Sequence, residues 1–139
     1  EASTNKGMAQ GPIDRIASGG ELARFLLALK VALEDSNTSR TLIFDEVDSG
    51  VGGAVAAAVG ERLARLGEHM QTLVITHSPQ VAARGVNHMR IAKHVTDESV
   101  ISGTETLSDD ARTEEIARML AGEHITAEAR AAATALLEG

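Results

Sequence analysis

Thr41-Leu42-Ile43-Phe44-Asp45-Glu46 runs four residues with a bias to extended, buried backbone straight into two adjacent carboxylates. Without polar alternation, Thr41 to Phe44 are predicted to form a strand buried on both faces. Acids that end such a strand lie at the carboxyl edge of a parallel sheet, where open α/β folds place their ligands. Successive strand residues point to opposite faces, so Asp45 and Glu46 cannot share one job. One can hold a metal ion while the other faces a water molecule. The plain structural alternative is that acids end strands because water begins there.

Outward from this strand the chain alternates. On its N-terminal side, Leu22, Phe25, Leu26, Leu29 and Leu33 form an apolar stripe at helical spacing, predicting a helix over 21–34. Before that helix, Glu1 to Gly11 are small and polar and read as a loose incoming segment or an orphaned strand. On the C-terminal side, a glycine-rich turn over 47–53 leads into a helix over 54–70, with Val55, Val59, Leu63, Leu66 and Met70 on one face. Thr72 to Thr76 form a second buried strand that ends at His77. Ser78 suits a helix cap, Pro79 the first helical position and Gly85 the stop. A third strand over 88–92 and a weak fourth over 99–102 flank a turn holding Asp97 and Glu98. Asp109 or Asp110 caps a helix ending near Gly122, and Thr126 caps a last helix ending near Leu137. This order predicts one α/β domain over 1–139, with a mainly parallel sheet flanked by helices. Right-handed crossovers would bring Asp45, Glu46 and His77 to one edge.

Composition narrows the function. The 139 residues are 43% hydrophobic, which excludes a disordered composition. A net charge of -7 argues against a large nucleic-acid footprint on this piece, and two Phe with no Trp or Tyr argue against base stacking. Cysteine is absent, so disulfides and thiolate metal sites are excluded, in keeping with a reducing compartment. No apolar run approaches membrane-spanning length, and the first residues do not look like a signal peptide.

Three groups of residues carry chemistry. Ser18-Gly19-Gly20-Glu21 has the spacing of a capping box, which accounts for Ser18 and Glu21 but not for the two glycines. Bare amides at the positive end of a helix reach an anion closely, so the group reads as a phosphate-binding helix start. Phosphoryl transfer needs magnesium on the phosphate oxygens and a group that orients the attacking water. Asp45 is assigned to the Mg2+ shell, through water, and Glu46 to the water-orienting base. His77 could hydrogen-bond a terminal phosphate, although a histidine after a strand is more often a solvated edge residue. Asp48-Ser49-Gly50-Val51-Gly52-Gly53 invites a dinucleotide-binding reading, which fails because Val55 occupies the third glycine position. That loop reads better as a contact surface beside the acids. His69, His88, His94 and His124 have no metal-ligand spacing and are treated as surface residues. No G-x-x-x-x-G-K-[ST] loop occurs, and Lys6, Lys30 and Lys93 follow no glycine loop. The chain carries the second half of a nucleotide site without the first.

Together these residues resemble an ABC-type ATPase head. Ala17 to Glu21 resemble its signature motif, Leu42 to Glu46 its Walker B strand, Asp48 to Gly50 its D-loop and His77 its switch histidine. The wording is most similar to the RecN family of bacterial DNA repair proteins. The stretches that carry this are Ile16 to Arg24, Phe44 to Gly53, Thr76 to Ala82 and Glu115 to Gly122. The resemblance covers nearly the whole chain and departs at Ala17, where transporters usually have leucine.

The resemblance implies an ATPase head split by a long antiparallel coiled coil, with this chain as its C-terminal half. The Walker A and Q-loops would lie in the N-terminal half. ATP would sit between two heads of a homodimer. Ser18, Gly19 and Gly20 of one subunit would reach the γ-phosphate held by the other subunit's Walker A loop, and Glu21 and Asp48 would also be nucleotide-binding. Asp45, Glu46 and His77 would act on nucleotide held by their own subunit. The cycle would serve double-strand break repair on DNA, in a cytoplasmic, nucleoid-associated protein with no membrane contact. Without Walker A, the fragment alone is expected to be inactive, and to self-associate or reorganise its N-terminus. A head from another SMC-type or transporter protein remains an alternative, although transporter heads usually have proline where Val47 stands. A non-catalytic interaction module that keeps only the fold is the other.

Overall fold

The structure is a computed structural model that describes Ala28 and residues 41–45, 47–95 and 100–139. Ala28 is helical, within the helix predicted over 21–34. The rest of that helix, the segment Glu1 to Gly11, the group Ser18 to Glu21, Glu46 and the turn with Asp97 and Glu98 lie outside the described residues.

Strand β1 (Thr41–Asp45) is followed by helix α1 (Gly53–Gly67) and strand β2 (Gln71–Ile75). The two strands pair in parallel, with Thr41 opposite Gln71 and Asp45 opposite Ile75. This is a βαβ unit, the arrangement that a buried strand, an amphipathic helix and a second apolar strand dictate. The short helix α2 (Pro79–Ala82) follows, then strands β3 (Met89–Val95) and β4 (Val100–Thr106), then helices α3 (Asp109–Ala121) and α4 (Ala127–Glu138). Among the described residues, β3 and β4 form an antiparallel hairpin separate from the parallel pair. Both run longer than the sequence suggests. Lys93, Ser102 and Glu105 break up the apolar pattern, yet they sit comfortably on a hairpin exposed to water.

Two apolar clusters hold these elements. Leu42, Phe44 and Val74 from the strands pack with Ala56, Val59, Leu63 and Leu66 of α1 and with Val81 of α2. Ala83, Ile116, Ala117 and Ala133 form the second cluster, joining α3 and α4 to the end of α2. Burying side chains such as Leu66 and Ile116 stabilises the fold by about 1.5–3 kcal/mol each. Helix α2 therefore stands between two cores, touching α1 on one side and α3 and α4 on the other.

Burial on both faces, expected for β1, is not what the strand shows. Phe44 is buried, but Ile43 is 64% exposed, and Leu73 and Ile75 of β2 are exposed with it. Side chains alternate along a strand, and α1 covers only the face carrying Leu42 and Phe44. On α1 the stripe holds at Val59, Leu63 and Leu66 but differs at its start: Val55 is 54% exposed and Ala56 is buried in its place, because Ala56 lies one helical turn before Val59 and Gly60 on the face that packs.

The helix ends obey the cap chemistry with small changes of residue. Ser108, not Asp109 or Asp110, caps α3, its hydroxyl accepting from the Ala111 amide at 3.4 Å. The two aspartates occupy the first turn, where they favour the positive end of the helix dipole. Thr126 caps α4 as expected, accepting from the Ala129 amide at 3.2 Å. Helix α2 ends at Ala82, three residues before Gly85.

Charge ties the hairpin to α3. Glu115 is only 5% exposed and accepts from Arg118 at 2.6 Å and 3.0 Å and from Arg90 at 3.5 Å. Arg90 also pairs with Glu105 across the hairpin. The Arg118 hydrogen bonds, helped by its charge and by Arg90, hold the Glu115 carboxyl below the usual carboxylate range against the opposing effect of burial. His88 is half-buried here, not a surface residue, and its Nδ1 has no partner among the described residues. Burial and then the Arg112 charge push its pKa down, and Glu115 pushes it up.

Two outcomes are expected. A Cβ at Gly60 would stand 3.1 Å from the Gln80 carbonyl oxygen and 3.3 Å from Val81 Cα, so α1 and α2 touch through this glycine. Gly60→Val forces branched carbons into that contact and should destabilise the protein by about 1–3 kcal/mol. Gly67→Ala, which meets nothing within 4 Å, should be neutral or stabilising. Urea midpoints of the two variants check the contrast. Glu115, with a lowered folded pKa, contributes stability above the ordinary carboxylate range and loses it as pH falls through its folded value. Arg118→Met should therefore be destabilising at neutral pH, with the gap to the native protein closing in acid. Urea titrations at both ends of that range measure it.

Candidate functional site

Two loops leave the carboxyl edge of the β1–β2 pair side by side. Parallel pairing sets Asp45 opposite Ile75, and His77 follows two residues later, so Asp45 and His77 come to the same edge. Both are exposed. Asp45 shares the uncovered face of the strand with Thr41 and Ile43. Glu46, the other acid expected at this edge, lies outside the described residues, as do Ser18, Gly19, Gly20 and Glu21.

The first loop turns at once. The Val51 amide donates to the Asp48 carbonyl at 3.2 Å, and Gly50 takes φ 72°, a conformation that suits glycine. An added Cβ at Gly50 would meet nothing within 4 Å, so backbone conformation, not space, favours glycine there. Val47 is fully buried and closes the first core from above.

Asp48 is the residue whose placement differs most from expectation. A D-loop aspartate was expected on the nucleotide-facing surface, but Asp48 is 2% exposed. Its Oδ2 accepts a hydrogen bond from the Thr76 hydroxyl. Its Oδ1 is buried without a partner among the described residues. The turn closed by the Val51 amide leaves the Asp48 side chain buried against Thr76 instead of in water. Thr76 in turn accepts from the Ser78 amide at 2.9 Å. Ser78 occupies the N-cap position of α2, yet its hydroxyl donates to Gln80 Oε1 at 2.9 Å instead of capping the helix. Thr76 thus has a structural part that its sequence position, at the end of a strand, does not announce.

The donors at this edge suit a hard cation or a phosphate better than a soft metal. Asp45 offers an exposed carboxylate, the ligand type that Mg2+ prefers, and His77 offers an exposed imidazole. Among the described residues no cluster of three or more His, Cys, Asp or Glu side chains is placed to hold a metal ion by itself. Any cation here would rely on one protein carboxylate, water and substrate oxygens, as magnesium commonly does at phosphate sites. No described helix is long and apolar enough to cross a membrane.

No family model matches the chain. Individual proteins do. The DNA repair protein RecN of Xylella fastidiosa (strain Temecula1) is 51% identical over 136 residues, 98% of this chain and 24% of that protein. RecN of Rickettsia felis is 47% identical over 137 residues, 99% of this chain and 25% of that protein. RecN of Deinococcus radiodurans is 48% identical over 120 residues, 86% of this chain and 21% of that protein. The chain therefore spans about a quarter of the length of the curated relatives it matches. A solved structure from work on the ATP-driven dimerization and DNA-stimulated activation of SMC ATPases aligns with a TM-score of 0.55 at 21% identity. It covers 85% of this chain and 70% of that one, which shows the fold of an SMC ATPase head. With that fold, and with about half its residues shared with RecN proteins from distant bacteria, the chain is homologous along nearly its whole length to a segment of the RecN family.

Proposed function

We propose that this chain is the C-terminal half of an SMC-like ATPase head that binds and hydrolyses ATP in DNA double-strand break repair. The observation that carries the reading is the shared edge: parallel pairing brings Asp45 and His77 out of adjacent strands on an SMC ATPase fold. The kinship with RecN proteins supports the DNA repair setting.

In this reading each residue has one task. Asp45 would hold Mg2+, which when bound neutralises charge on the phosphate oxygens. Glu46, next along the chain, takes the proton of the attacking water. The His77 imidazole hydrogen-bonds the terminal phosphate and senses its departure. Ser18, Gly19 and Gly20, which with Glu21 have the sequence of a capping box, would offer a hydroxyl and bare amides to the phosphate of nucleotide held by a second head. Asp48 stays beneath this surface. The remaining parts belong to partners: an N-terminal half with Walker A and the coiled coil, a second head as homodimer, and DNA through the full-length protein. The setting is the bacterial cytoplasm at the nucleoid. Residues 1–139 form one domain in this assembly and are inactive without it.

Glu46→Gln in the full-length protein tests the proposal. Removal of a general base costs about 100-fold or more in turnover, so phosphate release should fall at least that far while ATP binding persists and the dimer accumulates. Unchanged phosphate release would overturn the reading in favour of an interaction module.

A further inference from the structure

We propose that the buried Asp48–Thr76 hydrogen bond is a positioning tether that holds His77 in register with Asp45, so that Thr76 and Asp48 are positioning residues for the ATPase reaction. The inference rests on the ATPase reading above and adds two residues that act beneath the site surface.

Three observations carry it. The first is connectivity. Asp48 lies two positions after Glu46 and Thr76 lies one before His77, and the Thr76 hydroxyl donates to Asp48 Oδ2. A single bond thereby joins the loop after β1 to the loop after β2, across 28 residues of sequence. The second is relay. Thr76 Oγ1 also accepts from the Ser78 amide, so the tether fixes the backbone on both sides of His77. The third is cost. Asp48 is 98% buried with Oδ1 lacking a partner among the described residues, and an unmet buried oxygen weighs against stability. A link buried this deeply between the two loops is placed to set the position of what they carry.

The geometry also explains why the tether would act on His77 in particular. Beyond Ser78, α2 is clamped by Val81 in the first core and by the second core at Ala83. Arg112 of α3 donates to the Ala83 carbonyl at 2.8 Å and also to that of Gly85. His77 therefore sits on a short span between two fixed points, Thr76 held by Asp48 and α2 held by the cores. Loss of the first point frees the imidazole without unpacking the second.

The test is a double-mutant cycle in the full-length protein, with a local readout that does not depend on activity. Thr76→Val keeps the shape and removes the hydroxyl, and Thr76→Ser keeps the hydroxyl. Thr76→Val should lower kcat for ATP about 10–100-fold, the loss typical of a displaced group, with little change in KM. Thr76→Ser should restore it. In a His77→Ala background, Thr76→Val should add no further loss, because both changes remove one function. Amide exchange at Ser78 should quicken in Thr76→Val and recover in Thr76→Ser. Unchanged turnover in Thr76→Val, or a loss that adds in full to that of His77→Ala, would overturn the positioning role. Turnover indifferent to Glu46→Gln would sink the ATPase reading itself and the positioning role with it, while Ser78 exchange would still show whether the tether exists.

Discussion

Parallel pairing of β1 with β2 is the constraint from which the site follows. In a parallel pair both strands end at the same edge, so residues just beyond their last rungs meet whatever their separation in sequence. With Asp45 opposite Ile75, a carboxylate and an imidazole that are 32 residues apart come to one rim. An antiparallel pairing of the same two strands would send them to opposite ends. Helix α1 enforces the parallel choice, because a crossover of this length must return the chain to the start of the next strand. The stripe Ala56, Val59, Leu63 and Leu66 fixes which face it covers.

What stands behind the rim is more tightly held than the rim itself. Asp45 and His77 are exposed, whereas Val47, Asp48, Ser78 and Val81 are buried directly beneath or beside them. Helix α2 is only one turn long and has little stability of its own, since an isolated turn does not offset its nucleation cost. It holds its shape because Val81 belongs to one core and its end belongs to the other, and because Gly60 allows α1 to approach it closely. The loop that carries His77 thus borrows its order from both halves of the described structure.

Much of this was legible in the chain, and the misses share a cause. Thr126, Gly122 and the apolar stripes state helix limits through local chemistry, and those limits hold to within a few residues. Val55 misleads because 55 and 56 are both apolar, and the pattern alone does not say that the smaller Ala56 is the one that faces the core. Ile43 misleads in the same way: its residue type fits a buried strand, but burial depends on what packs above it. The inward turn of Asp48 could not be read at all. Its partner is 28 residues away, and nothing local distinguishes a surface aspartate in a glycine-rich loop from one folded under the next strand. The carboxyl edge and His77 were legible because they depend on strand order, which the alternation of patterns supplies.

The described rim offers one exposed carboxylate, Asp45, and one exposed imidazole, His77, and this bears on what must complete it. An exposed carboxylate at Asp45, beside Glu46 in sequence and within a chain of net charge -7, repels a triphosphate instead of gathering it. Attraction would have to come from cations and from backbone amides at a helix start. Lysine occurs only at positions 6, 30 and 93, none in a glycine-rich loop, and Lys93 lies on the β3 strand of the hairpin. A metal ion alone would bridge Asp45 to phosphate but would not hold the rest of a nucleotide. On the ATPase reading, Asp45 and His77 are groups that act on a bound nucleotide, and its capture falls to other surfaces. On the proposed ATPase reading, a second, cationic surface would have to present the ligand to this rim.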